Sequence, residues 1–125
     1  MLFREAVETR DPEKMRAALH PEVVFRSPAV FKPYEGRDTV MVVLRHVLEV
    51  FEDFRYTDEL HGDGTHGLVF AARVGDKQLQ GWDYLTLDAD GLVTELVVMI
   101  RPISGLMAVA EAMRARLADA GTAQG

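Results

Sequence analysis

The hydrophobic period of this chain changes near residue 52, and that change limits the folds available to it. Over residues 38–51 the apolar side chains recur at three- and four-residue steps, which is the spacing of one helix face: Val40, Val43, Leu44, Val47, Leu48 and Phe51. From Phe54 onward the period falls to two, the spacing of one strand face. A run of helices followed by a run of strands predicts an α+β fold rather than a doubly wound parallel sheet.

Four strands are predicted in the second half, over residues 54–60, 67–74, 79–87 and 92–100. Short turns separate them, and each turn contains glycine. Three consecutive hairpin connections predict an antiparallel meander. Pro102 ends the last strand, and a helix is predicted over 103–117.

The first half is predicted to open with two short helices. The first covers residues 2–8, and the second begins at Asp11-Pro12-Glu13, because Asp11 can cap free backbone N–H groups and Pro12 suits the first helical position. This second helix is expected to end at His20, since a residue before proline avoids the α region.

Between the short helices and the long helix, a short strand and a loop are predicted. The strand covers residues 23–25, and the breakers Pro33 and Gly36 mark residues 29–36 as the loop. The long helix then opens at Arg37 or Asp38.

The composition bounds the class of protein. A chain of 125 residues fits one domain, predicted over residues 1–120 with a small, polar, frayed tail at 121–125. The absence of cysteine excludes disulfides, cysteine catalysis and thiolate metal sites. A net charge of −6 without a Lys/Arg run argues against nucleic-acid and anionic-membrane partners. Without an apolar signal core or membrane span, we expect a soluble, cytoplasmic protein.

Three segments carry a family likeness: residues 11–25, 34–38 and 81–96. In their order and spacing they resemble the SnoaL-like and ketosteroid-isomerase-like domains of the NTF2-like superfamily. The resemblance implies a cone-shaped α+β barrel, in which a curved, mostly antiparallel sheet wraps around the N-terminal helices and one long helix. It also implies a homodimer formed through the outer face of the sheet.

The superfamily that this chain resembles includes ketosteroid isomerases, polyketide cyclases, limonene epoxide hydrolases, dehydratases and members with no known activity. Fold alone therefore does not fix function. A sheet folded around helices does imply an interior cavity, which is a natural site for a hydrophobic small-molecule ligand.

The resemblance assigns roles to single positions. Asp83 aligns with an acidic residue that ketosteroid isomerases use as an oxyanion donor and SnoaL-type cyclases use as an acid/base. The position that holds the general base in ketosteroid isomerases is Ser27 in this chain, and the position of their tyrosine lies near Phe3. Steroid isomerisation by that mechanism is therefore not expected. Epoxide-hydrolase-like members need an Asp-Arg-Asp set, in which Asp83 could pair with Arg73 or Arg101.

The residues around Asp83 give it two alternative roles. Asp83 shares one face of the predicted strand with Leu79, Gly81, Leu85 and Leu87. If that face points inward, the carboxyl is desolvated and its pKa is raised. A raised carboxyl can exchange a proton with a substrate near neutral pH. The alternative is a structural carboxylate paired with arginine.

Two further residues are candidate catalytic groups. His20 is either a second acid/base or a cap on a helix end, and Arg101 is either a helper of Asp83 or part of a structural ion pair.

A set of mostly apolar and aromatic positions is expected to line the pocket: Phe25, Ser27, Tyr34, Tyr56, Gly81, Leu85, Leu96, Val98 and Ile100. Trp82 and Tyr84 have the opposite parity to Asp83. They are expected either at the dimer interface or in ordinary packing on the outer face of the sheet.

No metal or cofactor is expected. His46 is predicted to be solvated in mid-helix, and His61 and His66 are predicted to be exposed beside a turn. The histidines lack a metal-ligand spacing such as H-x-x-x-H. The glycines at 62–64 lie between strands and do not open a helix, so they do not form a dinucleotide site.

Two hypotheses follow from these residues. In the first, the protein is a cofactor-independent cyclase, isomerase or hydrolase, with Asp83 as acid/base and His20 or Arg101 assisting. It predicts an inward Asp83 with a second polar group in the same space. In the second, the protein is a non-catalytic ligand-binding or dimeric scaffold module. It predicts a carboxylate held by arginine or a cavity filled by side chains.

Overall fold

The computed structural model describes residues 1–119, which form four helices and six strands. The helices are α1 (Leu2–Thr9), α2 (Pro12–Ala18), α3 (Arg37–Val50) and α4 (Ile103–Asp119). The strands are β1 (Leu19–Arg26), β2 (Tyr34–Glu35), β3 (Glu52–His61), β4 (Thr65–Val74), β5 (Lys77–Leu87) and β6 (Val93–Arg101). The tail predicted at 121–125 lies outside the described residues.

One curved sheet joins all six strands in the order β2-β1-β6-β5-β4-β3. The meander from β3 to β6 is antiparallel throughout, as the three hairpin turns predict. β1 lies parallel to β6, with Phe25 opposite Leu96. The sheet is therefore mixed and does not close, and the predicted cone-shaped α+β fold is confirmed.

The start of α2 follows the capping prediction. The Asp11 carboxylate accepts hydrogen bonds from the backbone N–H groups of Glu13 (3.0 Å) and Lys14 (3.3 Å), which have no partner within the helix.

The predicted end of α2 at His20 is wrong. The helix stops at Ala18, and His20 already lies in β1. Leu19 and Val23, both fully buried, hold the chain in this extended form against the rest of the core.

The helices cover the concave face of the sheet. α3 buries Val40, Val43 and Leu44, and α4 packs against α3, β5 and β6. Close approach of α4 to β5 requires Gly105, because a Cβ there would lie 2.8 Å from the Cβ of Leu79. Within residues 1–119, no helix is long and apolar enough to cross a membrane.

Candidate functional site

A cavity of about 120 Å³ lies between the concave face of the sheet and the helices. Its walls are largely apolar. Helices α1, α3 and α4 contribute Phe3, Val7, Val43, Leu44, Val47, Leu48, Val109, Met113 and Leu117, among others. The space is small, which suits an apolar fragment or one ring of a larger ligand.

Asp83 places a carboxyl group in this apolar space. The alternation of β5 turns Asp83 inward with Leu79, Gly81 and Leu85, and it is only 7% exposed. Burial penalises the charged form and raises the pKa of Asp83 to about 7. Among the described residues that line the cavity, it is the one carboxylate. The site therefore contains an acid that can gain or lose a proton near neutral pH.

Tyr56 on β3 is the polar partner of Asp83. Its hydroxyl donates a 3.3 Å hydrogen bond to Oδ2 of Asp83. Burial, followed by the nearby Asp83 carboxylate, raises the pKa of Tyr56, so the phenol keeps its proton. The hydrogen bond favours the charged carboxylate and thus opposes part of the upward shift at Asp83.

Two arginines lie near the site, and the sequence patterns singled out neither of them. The Arg4 guanidinium lies 5.4 Å from the centre of the Tyr56 ring and donates a 2.9 Å hydrogen bond to Glu59. Arg114, exposed on α4, is the one cation among the described residues that line the cavity. A positive charge at the cavity wall could be matched by a polar substituent on a ligand.

Seven of the nine positions expected to line the pocket do so: Phe25, Ser27, Tyr34, Tyr56, Leu96, Val98 and Ile100. The Ser27 hydroxyl accepts a 3.0 Å hydrogen bond from the backbone N–H of Ala29 and so shapes the loop after β1. Tyr34 is buried beside Phe25, with ring centres 6.0 Å apart, and burial raises its pKa.

Gly81 and Leu85 are not among the lining residues, although both face inward. A Cβ at Gly81 would lie 2.0 Å from Cζ of Phe70, so the ring of Phe70 fills the space that a side chain at 81 would take. Leu85 is fully buried opposite Leu96, inside the core rather than at the cavity. Gly81 thus makes room for the ring of Phe70, which does line the cavity.

The structure does not bring His20 or Arg101 to the cavity. His20 is half-buried on β1, where its Nδ1 accepts a 3.0 Å hydrogen bond from the backbone N–H of Glu22. Arg101 is exposed on β6 and has the opposite parity to Val98 and Ile100, so it lies on the outer face of the sheet.

Arg73, the other arginine expected to pair with Asp83, is engaged elsewhere. It forms 2.6 Å ion pairs with Glu52 and Asp53 at the far end of β3. The carboxyl of Asp83 is therefore held by a phenol and not by an arginine among residues 1–119.

Trp82 and Tyr84 lie on the outer face of the sheet, as their parity predicts. The indole of Trp82 folds over Gly67, where a Cβ would lie 2.6 Å from the ring. Tyr84 is 41% exposed, and the neighbouring Met99 on the same face is 54% exposed. Their role in a dimer interface stays a prediction.

The structure corrects two of the predictions made for the histidines. His46 is 9% exposed, and its Nδ1 accepts a 3.3 Å hydrogen bond from Nε of Arg116, so the prediction of a solvated side chain is wrong. His66 is half-buried rather than exposed. His61 and His66 face each other across the β3–β4 hairpin with ring centres 4.2 Å apart, and Glu59 lies beside them.

This histidine pair could have been found in the sequence. Two residues at equal distances from a hairpin turn face each other across the strand pair. The residue two positions before the first of them, on the same strand, points to the same side of the sheet.

Comparison with known proteins gives the family of this fold. Residues 2–96 match the family described as SnoaL-like domain. None of the curated proteins matches the chain.

Solved structures resemble the chain over nearly its full length. A structure described as a steroid delta-isomerase from Pseudomonas aeruginosa is 43% identical, with a TM-score of 0.90, and the match covers 97% of this chain and 90% of that one. A conserved bacterial protein of cystatin-like fold from Silicibacter pomeroyi is 34% identical, with a TM-score of 0.88 and coverage of 94% and 83%.

A more distant structure, described as a putative ketosteroid isomerase from Kribbella flavida, shows the fold alone. It is 20% identical, with a TM-score of 0.69 and coverage of 81% and 73%. These matches and the cone-shaped fold place the chain in a small-molecule-binding family that includes isomerases: the protein belongs to the SnoaL-like domain family of NTF2-like folds.

Proposed function

We propose that this protein binds a hydrophobic small molecule in the cavity and acts on it without a cofactor, as a cyclase, isomerase or hydrolase with Asp83 as the acid/base. The observation that carries the proposal is the carboxyl of Asp83, with a pKa raised by burial to about 7, inside an apolar cavity. A group with that pKa is present in both protonation states at neutral pH, which is what general acid–base catalysis requires.

In the isomerase form of the proposed reaction, ionised Asp83 takes a proton from one atom of the substrate. The electron pair left behind is stabilised within the substrate, for example on a carbonyl oxygen next to the deprotonated carbon. The carboxylic acid then returns the proton to another atom of the same molecule. The apolar walls orient the substrate, and Tyr56 holds the carboxyl in position through its 3.3 Å hydrogen bond.

The proposal does not adopt the steroid-isomerase mechanism as a whole. Ser27 and Phe3 both line the cavity, and neither can act as a base at neutral pH. The likeness to a structure described as a steroid delta-isomerase supports ring-shaped, hydrophobic ketones as the first substrate class to test.

A non-catalytic ligand-binding module is the second candidate, and one observation favours it. Among the described lining residues, no histidine and no second carboxylate accompanies Asp83. Reactions that need two groups titrating near neutral pH would lack one of them, because the Tyr56 phenol keeps its proton. A sensor or carrier of a hydrophobic ligand needs only the cavity, and a dimeric scaffold does not need even that.

A deuterium-exchange experiment separates the two candidates. The protein is mixed in D2O with a β,γ-unsaturated steroid ketone; binding is followed by ligand-observed NMR, and exchange of the protons next to the carbonyl by the loss of their signals. The proposal expects binding and exchange, with exchange lost in Asp83→Asn. Asp63→Asn, at an exposed aspartate in the β3–β4 turn, is the matched control and should exchange like the parent protein.

Binding without exchange in the parent protein would favour the binding module. Equal exchange rates in the Asp83→Asn variant and the parent protein would rule out Asp83 as the acid/base.

A further inference from the structure

A second cluster of chemically active side chains lies on the concave face beside the turn of the β3–β4 hairpin. His61 and His66 are opposite each other in the strand pair, and Glu59 precedes His61 by two residues on the same face. One ligand atom from each of the three lies within 4.8 Å of the other two. The cluster is separate from the cavity, since none of the three residues lines it.

The sheet register explains the separation. Leu68 on β4 is paired with Glu59 on one side and with Asp83 on the other, and its side chain is fully buried. A buried leucine therefore lies between the cluster and the carboxyl of the pocket.

We propose that Glu59, His61 and His66 bind a divalent transition-metal ion of the Zn²⁺ type. Two imidazoles and one carboxylate are a donor set that suits such ions, whereas Mg²⁺ and Ca²⁺ prefer oxygen alone. Bonds of roughly 2.0–2.2 Å place the ligand atoms of a tetrahedral zinc ion about 3.3 Å apart. The three ligand atoms have to move closer together on binding, and His61, whose side chain is 61% exposed, is the freest of the three to rotate.

The state of His66 points to a missing partner. Its Nδ1 is buried and makes no hydrogen bond with any of the described residues. A buried polar atom without a partner costs free energy, and a metal ion bound at that nitrogen would remove the cost. His66 is half-buried and lies on β4, so the sheet fixes its backbone before any metal binds.

Glu59 and His61 already act as a pair. Oε2 of Glu59 lies 2.9 Å from Nε2 of His61, and Oε1 accepts a 2.9 Å hydrogen bond from Nη1 of Arg4. Arg4 thus fixes one carboxylate oxygen and leaves the other facing the imidazole. This is the kind of outer contact that orients a metal ligand. With three protein ligands, a fourth coordination position would be open to water or to a small anion.

The test is a titration of the full chain, without a polyhistidine tag, with Zn²⁺ followed by calorimetry. We expect one Zn²⁺ per chain and no binding of Mg²⁺ under the same conditions. His66→Gln and His61→Gln should each weaken binding by at least about tenfold, because even outer-shell changes at metal sites cost about 10–100-fold. His20→Gln, at a histidine far from the cluster in the sheet, should bind like the parent protein.

A measurement on the parent protein keeps the proposal testable if a variant fails to fold. The imidazole NMR signals of the four histidines are followed during the same titration. Selective shifts of His61 and His66, with His20 and His46 unchanged, are expected. Equal small shifts at all four histidines, absence of stoichiometric uptake, or unchanged affinity in a folded His66→Gln variant would overturn the proposal.

Discussion

At the scale of single residues, the chemistry of this protein is concentrated in Asp83 and Tyr56. Two opposing effects set the charge of Asp83: burial, which favours the neutral acid, and the Tyr56 hydrogen bond, which favours the carboxylate. Burial is the larger effect, so the pKa lies well above the usual 3.8.

Replacing Tyr56 by phenylalanine should raise the pKa of Asp83 above its parent value. The variant removes a hydrogen bond that stabilises the charged form and leaves the apolar surroundings in place. Carboxyl NMR across a pH series measures the change. Tyr84→Phe, on the outer face of the sheet, is the matched control and should leave the pKa unchanged. A lower or unchanged value in Tyr56→Phe would contradict the assigned contact.

The raised pKa also predicts how stability depends on pH. The folded state binds a proton at Asp83 more tightly than the unfolded state, so the free energy of unfolding falls as pH rises from about 4 to about 7. The difference between 3.8 and about 7 corresponds to at most about 4 kcal/mol. Asparagine at position 83 carries no charge, so the Asp83→Asn variant should not show this fall in the free energy of unfolding.

Urea denaturation at pH 4.5 and pH 8 checks that prediction. Asp83→Asn should be the more stable protein at pH 8, by an amount that shrinks towards pH 4.5. Asp63→Asn, whose parent side chain is exposed, should keep the pH dependence of the parent protein. The assignment would be contradicted if the parent protein gained stability relative to Asp83→Asn between pH 4.5 and pH 8.

Part of the site could be predicted from the sequence. Strict alternation along β5 and β6 was enough to place Asp83, Leu96, Val98 and Ile100 on the inner face. The Tyr56–Asp83 contact was not predictable, because a register shift follows Tyr56 in β3 and β4 lies between the two strands.

At the scale of elements, local patterns account for the meander and both long helices. They fail where a partner distant in sequence decides the structure. The extension of β1 back to Leu19 depends on pairing with β6, where Leu19 lies opposite Val93. Nothing near residues 19–21 contains that information, and the proline signal pointed instead to a helix end.

A glycine in β5 supports the packing between elements. Gly81→Ala places a methyl group where the Phe70 ring now lies, 2.0 Å from Cζ, and should destabilise the fold by about 1–3 kcal/mol. Urea denaturation measures the loss. Gln80→Ala, at the exposed neighbouring position, should cost less than about 0.5 kcal/mol. Equal stability of the two variants would show that the ring moves aside without cost.

At the scale of the whole molecule, the helices and the concave face enclose the cavity while the outer face of the sheet stays uncovered. Tyr84 and Met99 are large side chains exposed on that face. Apolar surface of this kind often marks an interface. The homodimer implied by the family likeness is therefore expected to form there.

Light scattering coupled to gel filtration tests this expectation. The parent protein should have twice the mass of one chain, and Tyr84→Glu should shift it to one chain by placing a charge in the interface. Ala17→Glu, exposed on α2, should remain dimeric. A monomeric parent protein, or a dimer that tolerates Tyr84→Glu, would contradict an interface on this face.

The titration of Asp83 itself tests the central claim most directly. Carboxyl NMR of the parent protein follows its side-chain carbon from pH 3 to pH 9, with Asp83→Asn to assign the signal. The structure predicts a pKa of about 7, caused by burial in an apolar cavity. A value near the ordinary aspartate pKa of about 3.9 would show a solvated or cation-paired carboxylate and would contradict acid–base chemistry at this site.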